Sequence, residues 1–231
     1  VMSQLDAAYL DMLVRYNHAL KQRNALLKQA EGQGRVDREL LEPYDRILID
    51  LGRRIHEHRL NFLNLVIPRI QAHYEDISDH REHVEIRYAS DLDSADFPAV
   101  FREAYRKDVV LGRTTTGIHR DDYQISIDGH PIRKFGSQGQ QKSMIVALKL
   151  AQFDVVRDRK QFKPLLLLDD IFDKLDEHRI NKIMQMVAGH AFGQIFVTDA
   201  RPERTLSVFK NIDSDKRIFR IQDGKADMEP F

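Results

Sequence analysis

The 231-residue chain has no cysteine and no tryptophan. Without thiols it forms no disulfide, iron–sulfur cluster, Cys-ligated zinc site or thiol nucleophile, which fits a reducing compartment. It also lacks an excess of either charge: 36 Lys and Arg balance 36 Asp and Glu, so no global field draws it to a polyanion. Any nucleic-acid contact must come from local patches. Long apolar runs are missing as well. No stretch approaches the roughly 18 residues of a membrane helix, and the first residues do not follow the basic, apolar, small-residue order of a signal peptide. What remains is 42% hydrophobic and 31% charged with a mean hydropathy of -0.49, the composition of one large globular domain or two modest ones. The chain opens Val1-Met2-Ser3 and enters a helical pattern almost at once, which suggests a scar or a piece of something longer.

Leu5, Tyr9, Met12, Tyr16 and Ala19 recur in steps of four and three, continuing through Arg23 to Leu26, and predict one long helix. Gly32 and Gly34 mark its end and permit reversal. A second seam, Tyr44, Leu48, Leu51, Ile55, His58, Phe62 and Leu65, predicts another helix that Pro68 kinks or ends. Two such helices joined by a short loop form an antiparallel pair. Beyond His83 the texture changes: a strand over Val84–Tyr88, a helix over Asp96–Lys107, and a strand over Tyr123–Ile127 running into the hairpin-type turn Asp128-Gly129. A helix over Gln138–Arg159 follows, then the apolar run Leu165–Leu168, which suits a strand buried on both faces. A helix over Asp176–Ala188, a strand over Ile195–Thr198, a short helix over Pro202–Phe209 and a strand over Arg217–Ile221 complete the order. The first half reads as mainly helical and the second as α/β.

Four segments could carry chemistry. Leu165–Leu168 ends in Asp169-Asp170, which either caps a strand or puts two carboxylates at a sheet edge where one holds Mg²⁺ and the other orients a water. Gly136-Ser137-Gln138-Gly139-Gln140-Gln141-Lys142 opens the long helix; Ser137 and Gln140 fit a capping box, and Gly139 leaves the positive helix end open to a phosphate. Asp176 fits the N-cap of the next helix. Gly193–Asp199 forms a second apolar strand that ends in the polar pair Thr198-Asp199 and lies beside the first if the two are parallel.

Taken jointly and in this order, Ser137–Lys142, Asp169-Asp170, Lys174-Leu175-Asp176 and Thr198 resemble the signature motif, Walker B strand, D-loop and switch of ABC-type ATPase heads. Within that superfamily the chain resembles the RecF family: Gly117-Ile118-His119-Arg120-Asp121-Asp122 and Lys21–Lys28 resemble its segments too, and the similarity runs to about Val208. The resemblance implies an α/β ABC-type ATPase C-terminal lobe (113–231) carrying a mainly helical arm, an antiparallel helix pair (1–112). It implies that Asp169 helps hold Mg²⁺ and that Asp170 positions the attacking water. Ser137, Gln138, Gly139 and Gln140 would contact the γ-phosphate of ATP bound to the other protomer, and Asp176 would cross the dimer interface. Thr198 and Asp199 are candidates for the γ-phosphate sensor, since a switch histidine is absent. The implied protein is a cytoplasmic DNA repair and replication factor of the SOS response. It would dimerise on ATP, bind single-stranded, gapped or duplex DNA, hydrolyse ATP slowly, and act with RecR and RecO to load RecA.

A P-loop is not found. The only suitably spaced glycines, Gly112 and Gly117, are followed by Ile118-His119, which offer neither the lysine nor the hydroxyl. The chain is therefore expected to be the C-terminal part of a RecF-like protein, unable by itself to hydrolyse ATP, with apolar surface left open at Leu165–Leu168. A non-catalytic scaffold and another SMC-like or OLD-type head are the competing readings. The Arg and Lys clusters near Arg54, Arg106 and Lys160 are interspersed with acids and read as solvated faces, so the DNA assignment rests on the resemblance. Ten histidines show no metal-ligand spacing: His56 and His58 face different ways on a helix, and His80-Arg81-Glu82-His83 is not His-Glu-x-x-His.

Overall fold

The computed structural model describes residues 1–29, 37–188, 192–210 and 215–229. Contacts divide the chain into two compact units, residues 1–69 with 84–131 and residues 70–83 with 132–231. Neither is contiguous, because one long helix belongs to both.

The first unit begins with a short helix α1 (Met2–Leu5) and the long helix α2 (Ala7–Gln29), followed by α3 (Arg38–Ser78), whose residues up to Arg69 belong here. Arg59 near the late end of this stretch bonds Tyr9 near the start of α2, while Arg23 bonds Asp45, so the two run antiparallel as expected. The turn at Gly32 and Gly34 lies outside the described residues. Tyr9, Met12, Tyr16, Ala19, Arg23 and Leu27 form the buried stripe of α2, so the seam ends on Leu27 and not Leu26. Along α3 the predicted seam holds to Ile55 and then drifts. The buried positions are Leu63, Val66, Ile70, Tyr74 and Ile77, not His58, Phe62 and Leu65. A straight helix repeats every 3.6 residues, so a strict seven-residue reading slips around it within two heptads. Pro68 does not end α3, because buried residues on both sides hold it against the lost hydrogen bond.

A strand β1 (Val84–Ala89) follows, then α4 (Phe97–Glu103) and α5 (Tyr105–Leu111) in place of the single helix predicted over Asp96–Lys107. Asp96 caps the first, accepting the Ala99 N–H, and the break falls at Ala104. Strand β2 (Asp122–Ile127) pairs antiparallel with β1 and, through the turn at Asp128 and Gly129 (φ 49° and 78°), with β3 (His130–Pro131). The core packs Tyr9, Met12 and Tyr16 against Leu48, Leu51, Ile55, Phe97, Phe101 and Ile118.

The second unit comprises the end of α3, α6 (Ile132–Phe135), α7 (Gln138–Lys160), β4 (Leu166–Leu168), α8 (Glu177–Ala188), β5 (Ile195–Val197), α9 (Pro202–Lys210), β6 (Ile218–Gln222) and β7 (Lys225–Glu229). Strands β4 and β5 are parallel, in register Leu166 to Ile195 and Leu168 to Val197. The expectation that Leu165–Leu168 is buried on both faces is corrected. Leu166 and Leu168 are buried, whereas Leu165, Leu167 and Phe196 stand 63%, 71% and 48% exposed on the other face. Side chains alternate along a strand, and α7 and α8 bury their own apolar stripes without reaching that face. The hairpin β6–β7, turned by Asp223 and Gly224 at φ 49° and 74°, contains a strand that the sequence reading omitted.

Candidate nucleotide-contact site

The tips of β4 and β5 bring the polar residues of two sequence segments together. Thr198, the first residue beyond β5, donates its hydroxyl to Asp169 Oδ1, and Thr198 Oγ1 in turn accepts the backbone N–H of Asp170 at 3.3 Å. Asp170 adopts a left-handed conformation (φ 45°), which Asp tolerates better than most residues, and turns the chain away from the strand. Its carbonyl accepts the Lys142 ammonium at 3.1 Å. Both carboxylates are exposed. Asp199 is disposed differently: its side chain is 1% exposed and held by Arg204 (2.7 and 3.3 Å) and the Thr205 hydroxyl (3.1 Å). Burial raises its pKa, but the bonds from Arg204 and Thr205 outweigh that and keep the carboxyl below the ordinary range. Of the two switch candidates, only Thr198 reaches the acid pair.

At the start of α7 the capping box is present. Ser137 N–H donates to Gln140 Oε1 at 2.8 Å, and Gln140 N–H donates to Ser137 Oγ at 3.2 Å. The Ser137 hydroxyl, accepting there, still has its own proton to donate. Ser137 and Gln138 are exposed, Gly139 and Gln140 half-buried. A Cβ at Gly139 would meet the Lys174 carbonyl at 3.4 Å, an ordinary contact, so the fold itself does not demand glycine there. Its effect is to leave the first-turn N–H groups uncovered, at the end of the helix that carries positive charge. Gly136 is different: a Cβ there would lie 2.6 Å from the Ile132 carbonyl, so the tight entry from α6 requires it.

Asp176 caps α8 by accepting Arg179 N–H at 2.8 Å, as its position predicts. The Arg179 side chain then returns to the α7 start, donating to Ser143 Oγ at 3.0 Å and to Glu82 Oε1 at 2.6 Å. Gln140 donates to the same Glu82 oxygen at 3.1 Å, so its side-chain amide is committed inside this unit. Glu82, Arg179 and Arg204 were not foreseen. An arginine three residues after an N-cap aspartate is a weak local signal for the second, and nothing near Glu82 announces its role.

The segment 117–122 belongs to the first unit. His119 Nε2 donates to the Thr114 carbonyl at 3.1 Å, which leaves Nδ1 to accept the Tyr16 hydroxyl at 3.0 Å. Asp121 is held by Arg59 at 2.5 Å and by the Tyr88 hydroxyl, not by Arg120, which is exposed. Gly117, at φ 124°, lets the chain pass Tyr16: a Cβ would meet that hydroxyl at 2.7 Å.

Among the described residues no group of three or more His, Asp or Glu side chains forms a metal cage. Asp169 and Thr198 offer one carboxylate and one hydroxyl. That set is too small for a protein-only site but fits Mg²⁺, which takes one or two protein oxygens and fills its octahedron with phosphate and water.

No protein-family model matches the chain. It is 44% identical over 230 residues to the DNA replication and repair protein RecF of Cytophaga hutchinsonii, covering 100% of this chain and 61% of that protein. The RecF of Flavobacterium johnsoniae is 44% identical over 221 residues, covering 96% of this chain and 62% of its own length. The chain thus spans about three fifths of the relatives it matches. Among solved structures, the recombination mediator protein RecF with ATP superimposes with a TM-score of 0.76 at 27% identity, over 99% of this chain and 61% of that one. The complex of RecF with ATPrS gives 0.77 at 27% identity over 98% and 60%. The expected fold class, an α/β ATPase-type lobe with a helical arm, is the one these structures share with the chain.

Proposed function

The chain belongs to the RecF family, and from that premise we propose that it supplies the phosphate-closing half of an ATP-gated DNA-repair dimer. The observation that carries this reading is the hydroxyl of Thr198 bridging Asp169 and Asp170 at the strand tips, in the same unit as the open start of α7. A protein that binds a triphosphate between two subunits needs both parts: an acid-tipped strand for the metal side and an uncovered helix end for the γ-phosphate.

In this reading residues 1–112 serve as arm and 113–231 as the ATPase lobe. Asp169 and Thr198 would hold Mg²⁺, which when bound would supply positive charge to offset that developing on the phosphate. Asp170 accepts a hydrogen bond from the attacking water and takes its proton. Ser137 donates its free hydroxyl proton, and Gln138, Gly139 and Gln140 present the helix end to the γ-phosphate of nucleotide held by the second protomer. Of these four, Gln140 acts through its backbone, since its side chain is bonded to Ser137 and Glu82. Asp176, exposed at the start of α8, faces the second protomer, and Thr198 reports the γ-phosphate to the acid pair. The lysine of a P-loop, absent from this sequence, is supplied by the two fifths of the relatives' length that the chain does not span. The dimer binds single-stranded, gapped or duplex DNA and works with RecR and RecO to load RecA.

The test joins the chain to that remaining segment and compares Asp170→Asn with the unchanged protein. The expected result is ATP-induced dimerisation in both, with turnover lost and the dimer long-lived in the variant. Unchanged turnover would remove the role of Asp170, and absence of an ATP-dependent dimer in the unchanged protein would favour a scaffold instead.

A further inference from the structure

We propose that Arg179, with Glu82 as its counter-charge, is the positioning residue that locks the start of α7 and the 170–176 loop into one rigid block. The proposal rests on the dimer reading above, in which the start of α7 meets the second protomer's nucleotide and Asp176 faces the second protomer. Two contacts draw the two segments together: Lys142 donates to the Asp170 carbonyl at 3.1 Å, and Arg179 touches both sides. Only the last is anchored on a third element.

The guanidinium spends its fork on three partners from three segments. Nη2 meets Glu82, four residues past the end of α3, at 2.6 Å; Nη1 meets Ser143 on α7 at 3.0 Å; and Nε lies 3.4 Å from Asp176 Oδ2. Glu82 in turn collects Gln140 at 3.1 Å and the Tyr74 hydroxyl at 2.5 Å. Side chains of Glu82 and Arg179 are 16% and 14% exposed, so the pair is shielded from solvent screening while Asp176 stays 63% exposed. Burial raises the Glu82 pKa, but the bonds from Tyr74, Arg179 and Gln140 outweigh it and hold the carboxyl ionised. Burial likewise lowers the Arg179 pKa, and Glu82 more than restores it.

The geometry therefore divides labour. Asp176 is the exposed group, its Oδ1 held by the Arg179 backbone N–H and its Oδ2 steadied by the guanidinium; Gln140 closes the capping box and Glu82 sets its amide. A planar five-donor fork makes this possible, and an ammonium, which can keep the Glu82 pair alone, does not. Closing a dimer over nucleotide demands that both segments be in place at once, so their mutual order is paid before closure and not during it.

The test uses Arg179→Lys, which preserves the charge pair, beside Arg179→Gln, which does not. In the chain itself, amide hydrogen exchange at 138–142 and 176–179 is expected to accelerate in Arg179→Lys with the rest of the unit unchanged. In the protein carrying the remaining segment, nucleotide affinity of the monomer is expected to stay the same, while the ATP concentration needed for half-dimerisation rises roughly tenfold or more. Arg179→Gln should show both effects more strongly. Unaltered exchange, or an unaltered ATP requirement in a protein that does dimerise, overturns the positioning role. If the unchanged protein never dimerises on ATP, the dimer reading falls, and exchange alone decides whether Arg179 orders the two segments.

Discussion

Thr198 and Asp169 occupy the tips of neighbouring parallel strands, and one hydroxyl joins them while also receiving the Asp170 backbone N–H. A single side chain therefore ties the Asp169 carboxylate and the Asp170 backbone together before any ligand arrives. Thr198→Val, which keeps the shape and removes the hydroxyl, is expected to cost about 1 kcal/mol, the net worth of an exposed hydrogen-bond pair. Thr198→Ser should recover most of it. Urea denaturation of the three proteins checks this; equal losses in Val and Ser would assign the effect to methyl packing.

Leu165, Leu167 and Phe196 place three large apolar side chains on one open face of the β4–β5 pair. Contiguous apolar surface of this kind drives association. Leu167→Ser is expected to lower the apparent molar mass of the concentrated chain by light scattering, with stability changed by no more than about 1 kcal/mol because the side chain is 71% exposed. An unchanged mass would show that the face is not what associates.

The seams of α2 and of α3 up to Ile55 could be read directly, because period and burial agree there. After Ile55 the sequence offers apolar residues on two adjoining stripes, Phe62 and Leu65 or Leu63 and Val66, and only packing chooses. The capping box of Ser137 and Gln140 and the N-cap of Asp176 were legible because both are local. Two strands ending alike placed Thr198 beside Asp169 only on the condition that they pair in parallel, which they do, whereas nothing local marked the burial of Asp199, since its partner Arg204 lies on the next helix. The Glu82–Arg179 contact spans 97 positions and has no periodic signature. Strand β7 was missed although Asp223-Gly224 is the same turn signal that revealed the β2–β3 hairpin.

Arg23 and Asp108, each with a side chain 1% exposed, form a buried ion pair in the first unit, and the same guanidinium bonds Asp45 and Thr114. Taking away one charge strands the other. Arg23→Met is expected to destabilise this unit by about 3–5 kcal/mol, and adding Asp108→Leu to cost less than the two single losses together. Chemical denaturation of the singles and the double measures the coupling; simple additivity would mean that the pair does not interact.

His119 stands neutral between the Tyr16 hydroxyl and the Thr114 carbonyl, and burial pushes its pKa below the ordinary 6.5. Protonation places a proton on Nδ1, where the Tyr16 hydroxyl now donates, so the native state resists it while the unfolded chain accepts it freely. The unfolded state then binds more protons, and stability rises with pH across that interval. The contribution is fully present above the unfolded value of 6.5 and is lost as pH falls toward the lower, folded value. Between about pH 7 and pH 5 the first unit should weaken, and His119→Gln should remove that part of the slope while other histidines keep theirs. Thermal unfolding of both proteins across this interval decides the matter: parallel pH profiles would mean that His119 titrates alike in the folded and unfolded chain.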